Sequence, residues 1–560
     1  MDTPRITINK IEEKKHILRE STESLFSSIA LISIAFAVFI VLSSYFYGFL
    51  QPVRWPTLTY FALFLLVTLY SRQWALTLLI IALPLLPDLH IQLEYIRHPA
   101  VKYFVAYPGV DAISVITVGL FLRAVFYRKL GGFSVKIVPW PFGVFLCSIL
   151  VSLVVAISRN LWQSGSSFDI GDFFYNALRF KLVQSSSIYG PFVDFVVYSY
   201  AVLATVIFYG YFKAVRNSDD LLFKPLALGL VLSALWGIFQ ALTSFGLPIT
   251  TSGYRTEEFG YGAHGFQPDL HAFAAHMLIG AVGLFGYFFR LRSRNERVGL
   301  IFVTLLSWLA LIMSKSRASL VLAIVFTALT GLVYLFKKGV RDPKKIISIF
   351  LICAALALVL MMSSYGSWIS TTYHLIATSG SLDFDTINQL TRWRAELHLA
   401  AVRMWSQFPI FGLGLGEFFK LSANFEFSHS LLMAKSGGEN AHNYFLQILA
   451  ELGIAGFICS VLIFACPLWR NDNRQACLPV CFGIAAIFLG NVYSHSLIIR
   501  ENLFLLSILT ASLYASSGDA KLRVIKGRPS VVIGFYILVT VFFIVGVKEI
   551  YDSFGKFPFK

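Results

Sequence analysis

Apolar residues run along this chain in blocks. They occupy residues 25–49, 56–70, 73–93, 110–127, 139–157, 188–212, 222–245, 267–289, 299–313, 316–336, 346–363, 442–468, 475–494, 501–516 and 530–547. Most have the roughly 17–25 residues that an α-helix needs to cross a ~30 Å hydrocarbon layer. Alternating segments of about ten residues, which a membrane barrel would require, are not the pattern. Each block therefore predicts a membrane-spanning helix, although 56–70, 299–313 and 501–516 are short for that role. Before the first block stand Arg5, Lys10, Lys14, Lys15 and Arg19, and no small-residue cleavage site follows it. Residues 1–24 thus read as a cytoplasmic tail leading into an uncleaved first span.

Composition agrees with this pattern. The 560 residues are 57% hydrophobic and 14% charged, with a mean hydropathy of +0.71. Soluble chains carry about 25% charged residues, so a water-soluble or disordered chain is excluded. The expected fold is all-α and polytopic, with about 12–15 transmembrane helices. A net charge of +16 changes the picture only until its location is examined. Counting alternate loops from a cytoplasmic N terminus, one class holds Arg128 and Lys129, Lys213 and Arg216, Arg290 to Arg297, Lys337 to Lys345, Arg470 and Arg474, and Lys521 to Arg528. That class carries the basic surplus, and the opposite class is close to neutral. Positive-inside bias accounts for the basicity, and no nucleic acid is needed to explain it.

The outer loops 94–109, 158–187, 246–266 and 364–441 are the long polar ones. The organisation is then a tail (1–24), helices with short cytoplasmic loops (25–363), a large outer loop (364–441) and C-terminal helices (442–560). A loop as long as 364–441 is functional rather than connective. Within it, Trp393, Leu397, Ala400, Met404 and Phe408 recur at helical spacing, while Arg392, Glu396 and Arg403 take other faces. This predicts a helix over Thr391–Phe408 lying across the outer membrane surface. The six cysteines lie in or beside spans, which argues against a disulfide framework on the outer face. The sequence shows neither a nucleotide-binding loop nor a zinc-spaced ligand cluster.

Charges at the membrane that topology does not explain mark candidate chemistry. The segment SGGENAHNYFLQILAELGIAGF (436–457) sets Glu439 and His442 where the long loop re-enters the membrane. His442 is either an interfacial histidine or a base that takes a proton from an attacking hydroxyl, with Glu439 orienting it or acting as base itself. Asn440 is placed to cap the helix. Gly453 and Gly456 offer a small surface for another helix. Arg255, in an outer loop, and Arg317, in the break SKSRASL, supply rigid forks for pyrophosphate oxygens. Lys315 and Arg317 could instead anchor a helix end by snorkelling. Arg392 and Arg394 could meet an anionic headgroup, whereas Arg403 reads as part of a solvated face. After Pro409, the run FGLGLGEF follows no strand, so a dinucleotide fingerprint is rejected in favour of a close-packed turn. His495 and Arg500, in the short outer turn SHSLIIRE, are weaker site candidates for which a structural role is the first reading, and the remaining histidines show no ligand spacing.

Taken together, these motifs resemble a known family. His442-Asn443, nine residues, then Gly453-Ile454-Ala455-Gly456 is similar to the His-Asn-x9-Gly-x-x-Gly signature of the O-antigen ligase and polymerase superfamily. FPIFGLGLGEF resembles that family's Pro-x-x-Gly-x-Gly-x-Gly-x-Phe turn, TRWRAELHLAAVRMW the helix before it, and SKSRASL its Ser-Arg-small motif. YRTEEFGYGAHGFQPDLHAF resembles a further segment, with Asp269 where Asn is usual. The likeness covers roughly 255–460. It implies a GT-C-like glycosyltransferase of the bacterial inner membrane, with a periplasmic active site and a long helical periplasmic loop. The enzyme would move a glycan from an undecaprenyl-pyrophosphate carrier to an acceptor hydroxyl, that of lipid A core for a ligase, with inversion and without metal or other cofactor. Arg255 and Arg317 would contact the pyrophosphate, and His442 would be the essential histidine. Implied partners are the lipid-linked donor, a glycan or lipid A core acceptor, and membrane lipids. A polymerase of the same family is the neighbouring alternative, and a lipid-linked glycan flippase is one from another class.

Overall fold

Helices form where the apolar blocks predict them. The computed structural model describes residues 71–85, 140–164, 190–213, 218–243, 262–267, 270–337 apart from 292, 383–391, 394–429, 438–469, 478–498 and 500–516, and a few isolated positions. The predicted spans 25–49, 110–127, 346–363 and 530–547, and nearly all of 56–70, lie outside the described residues. The chain divides into two units. One comprises 1–79 and 110–134; the other, 80–109 and 135–560, holds everything discussed below except the first part of α1.

The described helices are α1 (Arg72–Ala82), α2 (Trp140–Ser164), α3 (Gly190–Lys213), α4 (Ser218–Thr243), α5 (Leu270–Phe288), α6 (Arg294–Met313), α7 (Arg317–Lys337), α8 (Phe384–Leu390), α9 (Arg394–Gln407), α10 (Tyr444–Trp469), α11 (Leu478–Gly490) and α12 (Arg500–Ser516). Among the described residues six helices are long and apolar enough to cross a membrane, within α2, α4, α5, α6, α7 and α10. Large apolar side chains such as Leu228, Leu235, Phe302, Leu305 and Val321 are exposed on α4, α6 and α7. In water such faces would far exceed the apolar patches of a soluble monomer, whereas in a bilayer they meet lipid. The protein is an all-α, multi-pass membrane protein.

Two of the spans that looked short find their explanation here. α6 is extended by Arg294–Val298, which continue the helix from an extended Ser293 and give it 20 residues. α12 keeps only 17 residues, yet Asn502, Ser507, Thr510 and Ser512 along it are buried. It packs along α3 inside the bundle, so its polar positions face protein instead of lipid. α5 is the most enclosed span and widens at Gly280–Leu284 into a π-helical turn. Gly280 lets it approach Ser307 of α6, and Gly286 lets it approach Pro479 of α11.

The predicted loop helix is observed as α9, beginning at Arg394. Leu397, Ala400, Met404 and Phe408 are buried, as their spacing requires, the last three in a cluster with Leu413, Phe418, Phe427 and Ala450. Glu396 departs from expectation. It is buried too, because its backbone N–H donates to Asn388 Oδ1 and its carboxylate accepts from Arg403 and from the His429 N–H at 2.8 Å. Arg403 is correspondingly only partly solvated: it bonds Glu396 at 3.2 Å and the Phe427 carbonyl at 2.7 Å.

Candidate active site

The site is built on a break in α10. Gly453 sits at φ 65°, ψ −170°, a conformation that only glycine adopts readily. The break frees the carbonyls of Ala450 and Glu451 and the N–H groups of Ile454 and Ala455, which would pair with one another in an unbroken helix. The turn after α9 satisfies all four. Leu413 and Gly414 donate to the Ala450 and Glu451 carbonyls at 2.8 and 3.1 Å, while Ile454 and Ala455 donate to the Pro409 and Ile410 carbonyls at 2.8 and 3.1 Å. Gly412, Gly414 and Gly416 all have positive φ, and a Cβ on Gly412 would overlap the Glu451 backbone. The glycine run is thus a close-packed turn, as its sequence indicated. Gly453, however, receives this turn and not a helix; of the two glycines, Gly456 is the one that faces a helix, at Ser148 of α2.

This exchange fixes the loop ahead of α10. Glu451 accepts from the Phe418 N–H at 3.3 Å and from Gln447 Nε2 at 3.1 Å, and Gln447 Oε1 accepts from the Ala441 N–H at 3.3 Å. His442 follows at φ 50°, unusual for a residue other than glycine and characteristic of strained functional positions. Asn443, not Asn440, caps the helix: its Oδ1 accepts from the N–H groups of Phe445 and Leu446, both at 3.1 Å. Asn440 is instead buried beside Glu439, which accepts its backbone N–H at 2.9 Å.

Around the His442 ring, groups from distant parts of the chain converge. Its Nδ1 lies 3.1 Å from Nδ1 of His495, in the turn between α11 and α12, and its Nε2 lies 4.0 Å from Glu439 Oε1. Burial holds its imidazole well below the ordinary range, and the neighbouring His495, Arg394, His271 and His398 push it the same way. Arg394 reaches the Tyr493 carbonyl at 3.1 Å. His398, one helical turn after Arg394, is also held low by burial and by that guanidinium. His271, near the start of α5, meets Ser316 Oγ at 3.3 Å, and Ser316 immediately precedes Arg317 at the start of α7. Ala263, in the loop before α5, donates to the Met313 carbonyl at 2.9 Å, tying that loop to the same end of α6.

Of the predicted site residues, the structure brings His442, Glu439 and Arg394 together and sets Arg317 beside the Ser316–His271 contact. Arg255 and Arg392 lie outside the described residues. Sequence reasoning ranked His495 only as a weaker candidate and passed over His271 and His398, because their signal is spatial. It also missed Glu451, which a rule was available to find: a carboxylate inside an apolar span is rarely idle. A further polar group supports the turn. Arg159 of α2 donates to the Leu413 carbonyl, Asn160 to Glu417, and Lys420 to Asn160 at 3.1 Å. Burial raises the Glu417 carboxyl above its usual range. Among the described residues, no group of three or more His, Cys, Asp or Glu is arranged to hold a metal ion.

Comparison with known proteins bears on the same segment. A search of the curated proteins finds no match. A family model described as O-antigen ligase matches residues 300–461. The matched stretch includes Arg317, Arg394, the glycine turn, His442 and the break at Gly453. Over this segment the chain is similar to the O-antigen ligase family, and the likeness supports a membrane enzyme of the O-antigen ligase or polymerase type.

Proposed function

We propose that the protein transfers a glycan from an undecaprenyl-pyrophosphate carrier to an acceptor hydroxyl, with lipid A core as the acceptor, at the periplasmic face of the bacterial inner membrane. The observation that carries this reading is the meeting of a half-buried imidazole, whose protonation burial disfavours, with a guanidinium: His442 beside Arg394, while Arg317 opens the helix next to Ser316, whose Oγ meets His271.

The chemistry needs little else. The acceptor oxygen forms a bond to the anomeric carbon, and its proton passes to His442 Nε2. The bond from that carbon to the pyrophosphate oxygen breaks, and both electrons leave with the pyrophosphate. Attack opposite the leaving group inverts the anomeric centre. Guanidinium groups aimed at the charge that develops on the leaving oxygen lower the barrier, because they are already in place when it forms. They also serve the base. Cationic and imidazole neighbours disfavour a second positive charge on His442, and the bound pyrophosphate supplies the compensating negative charge. His442 is therefore a better proton acceptor once the donor is seated.

The test is reconstitution with a labelled lipid-linked donor offered only on the outer face. Label should pass to lipid A core with the parent protein, and His442→Ala and Arg317→Ala should abolish transfer while both proteins still insert. Full transfer by either variant overturns the mechanism. Label appearing on a second lipid-linked glycan would make the enzyme a polymerase. A requirement for movement from the inner to the outer leaflet would indicate a flippase.

A further inference from the structure

We propose that His495 is a positioning residue for His442: it accepts the Nδ1 proton and so leaves Nε2 as the base. The inference rests on the functional reading above and adds a residue to it.

Two Nδ1 atoms 3.1 Å apart, with the rings edge to face at 74°, share a single proton. A neutral imidazole carries one N–H and one lone pair, so the owner of that proton decides which nitrogen of His442 can accept another. If His442 holds it, Nε2 is free to take the acceptor's proton. If His495 donates instead, Nε2 of His442 carries the hydrogen and cannot act. Glu439, at 4.0 Å, is beyond hydrogen-bond reach of Nε2 and does not tie it up in the resting state. Once the hydroxyl proton has been transferred, both ring nitrogens bear hydrogens. His495 then accepts from Nδ1, and the Glu439 carboxylate faces the new charge at Nε2.

The pair is a built feature. The turn carrying His495 is locked by buried Asn491, whose Oδ1 accepts from the Leu497 N–H at 3.0 Å and whose Nδ2 donates to Ser496 Oγ at 3.0 Å. The same turn holds the chain just after His442, because Tyr444 donates its N–H to the carbonyls of Asn491 at 3.0 Å and Ser494 at 3.2 Å. Backbone bonds thus set the two imidazoles opposite each other from segments about 50 residues apart in sequence. The other groups acting on His442 are Arg394 and His398 of α9, His271 of α5, and Glu439. Protonation of His495 at low pH converts it from acceptor to donor, which switches the base off.

The experiment compares His495→Ala and His495→Asn in the reconstituted transfer assay over a range of pH, beside His442→Ala. Asparagine places an acceptor oxygen near the position of Nδ1 and does not ionise. Expected are a fall in kcat of about 10- to 100-fold for His495→Ala with KM nearly unchanged, typical of losing a group that orients a functional imidazole, and recovery of most activity by His495→Asn with the acid limb moved to lower pH. The proposal is overturned if His495→Ala keeps the parent kcat and pH profile, or if His495→Asn is as impaired as His495→Ala. An active His442→Ala would instead bring down the underlying reading, so the two failures are distinguishable.

Discussion

The two halves of the site are held by opposite means. The glycine turn and the broken helix are joined backbone to backbone, by four hydrogen bonds that replace those lost at Gly453. The imidazole cluster is made of side chains, rings and a guanidinium delivered from α5, α9, the loop before α10 and the turn before α12, with a direct side-chain contact between His442 and His495. The first arrangement tolerates no Cβ but asks little of side-chain chemistry. The second asks for particular functional groups, while the segments carrying His442 and His495 are tied by backbone bonds that do not run through those side chains. Folding and function are therefore separable within a few residues of one another, and each can be tested alone.

The largest effect is expected at Gly453. A side chain there must adopt positive φ with an extended ψ, an essentially glycine-only region that costs about 1–3 kcal/mol by itself, and its Cβ would overlap the Ile410 carbonyl. Gly453→Ala should give little folded protein, as measured by yield and thermal unfolding in detergent. Parent-like stability would mean the turn does not hold the break. Next comes His442→Ala, which should lower transfer by about 10²- to 10⁴-fold, the usual contribution of a positioned base, with an unfolding temperature close to that of the parent. A variant that unfolds early would show the cluster to be structural after all, erasing the contrast. Smaller still is Asn443→Ala. Loss of the cap on α10 should cost about 0.5–2 kcal/mol of stability and lower activity only through the placement of His442.

The last prediction concerns pH. The folded imidazole of His442 has a pKa held below that of the unfolded chain, about 6.5. Below that pH the unfolded state binds a proton that the folded state refuses, so stability is full above about pH 6.5 and declines as the pH falls. The slope is at most about 1.4 kcal/mol per pH unit for one such group. In His442→Gln the decline between about pH 6.5 and 5 should be shallower than in the parent. Parallel profiles for the two proteins would refute the assignment of the depressed group to His442.

Much of the fold was legible because membrane helices are declared locally. A run of apolar residues long enough to span a bilayer needs no partner to be recognised, and α2 through α7 and α10 through α12 all fall on such runs. The His442-Asn443 and Gly453-Gly456 pattern and the glycine turn were legible for the same reason: each requirement lies within a few residues. Misreadings arose where a residue's fate depended on distant chain. Glu396 and Arg403 looked like surface residues of an amphipathic helix until Phe427 and His429 closed over them. Asn440 and Asn443 are equally plausible caps in sequence, and only the path of the loop chooses between them.

The sequence by itself determined that this is a many-helix membrane protein and that its basic surplus lies in one class of loops, and it singled out His442 and Arg317 as candidates for chemistry. Length, apolarity and local spacing are properties of short stretches, and they survive without tertiary contacts. Only the tertiary structure decided that Gly453 breaks its helix to receive the turn at Pro409–Gly414, and that His495, a weaker candidate in the sequence, faces His442 at 3.1 Å. Hydrogen bonds across tens of residues leave no periodic trace, because their partners are chosen by how the helices pack and not by neighbouring residues.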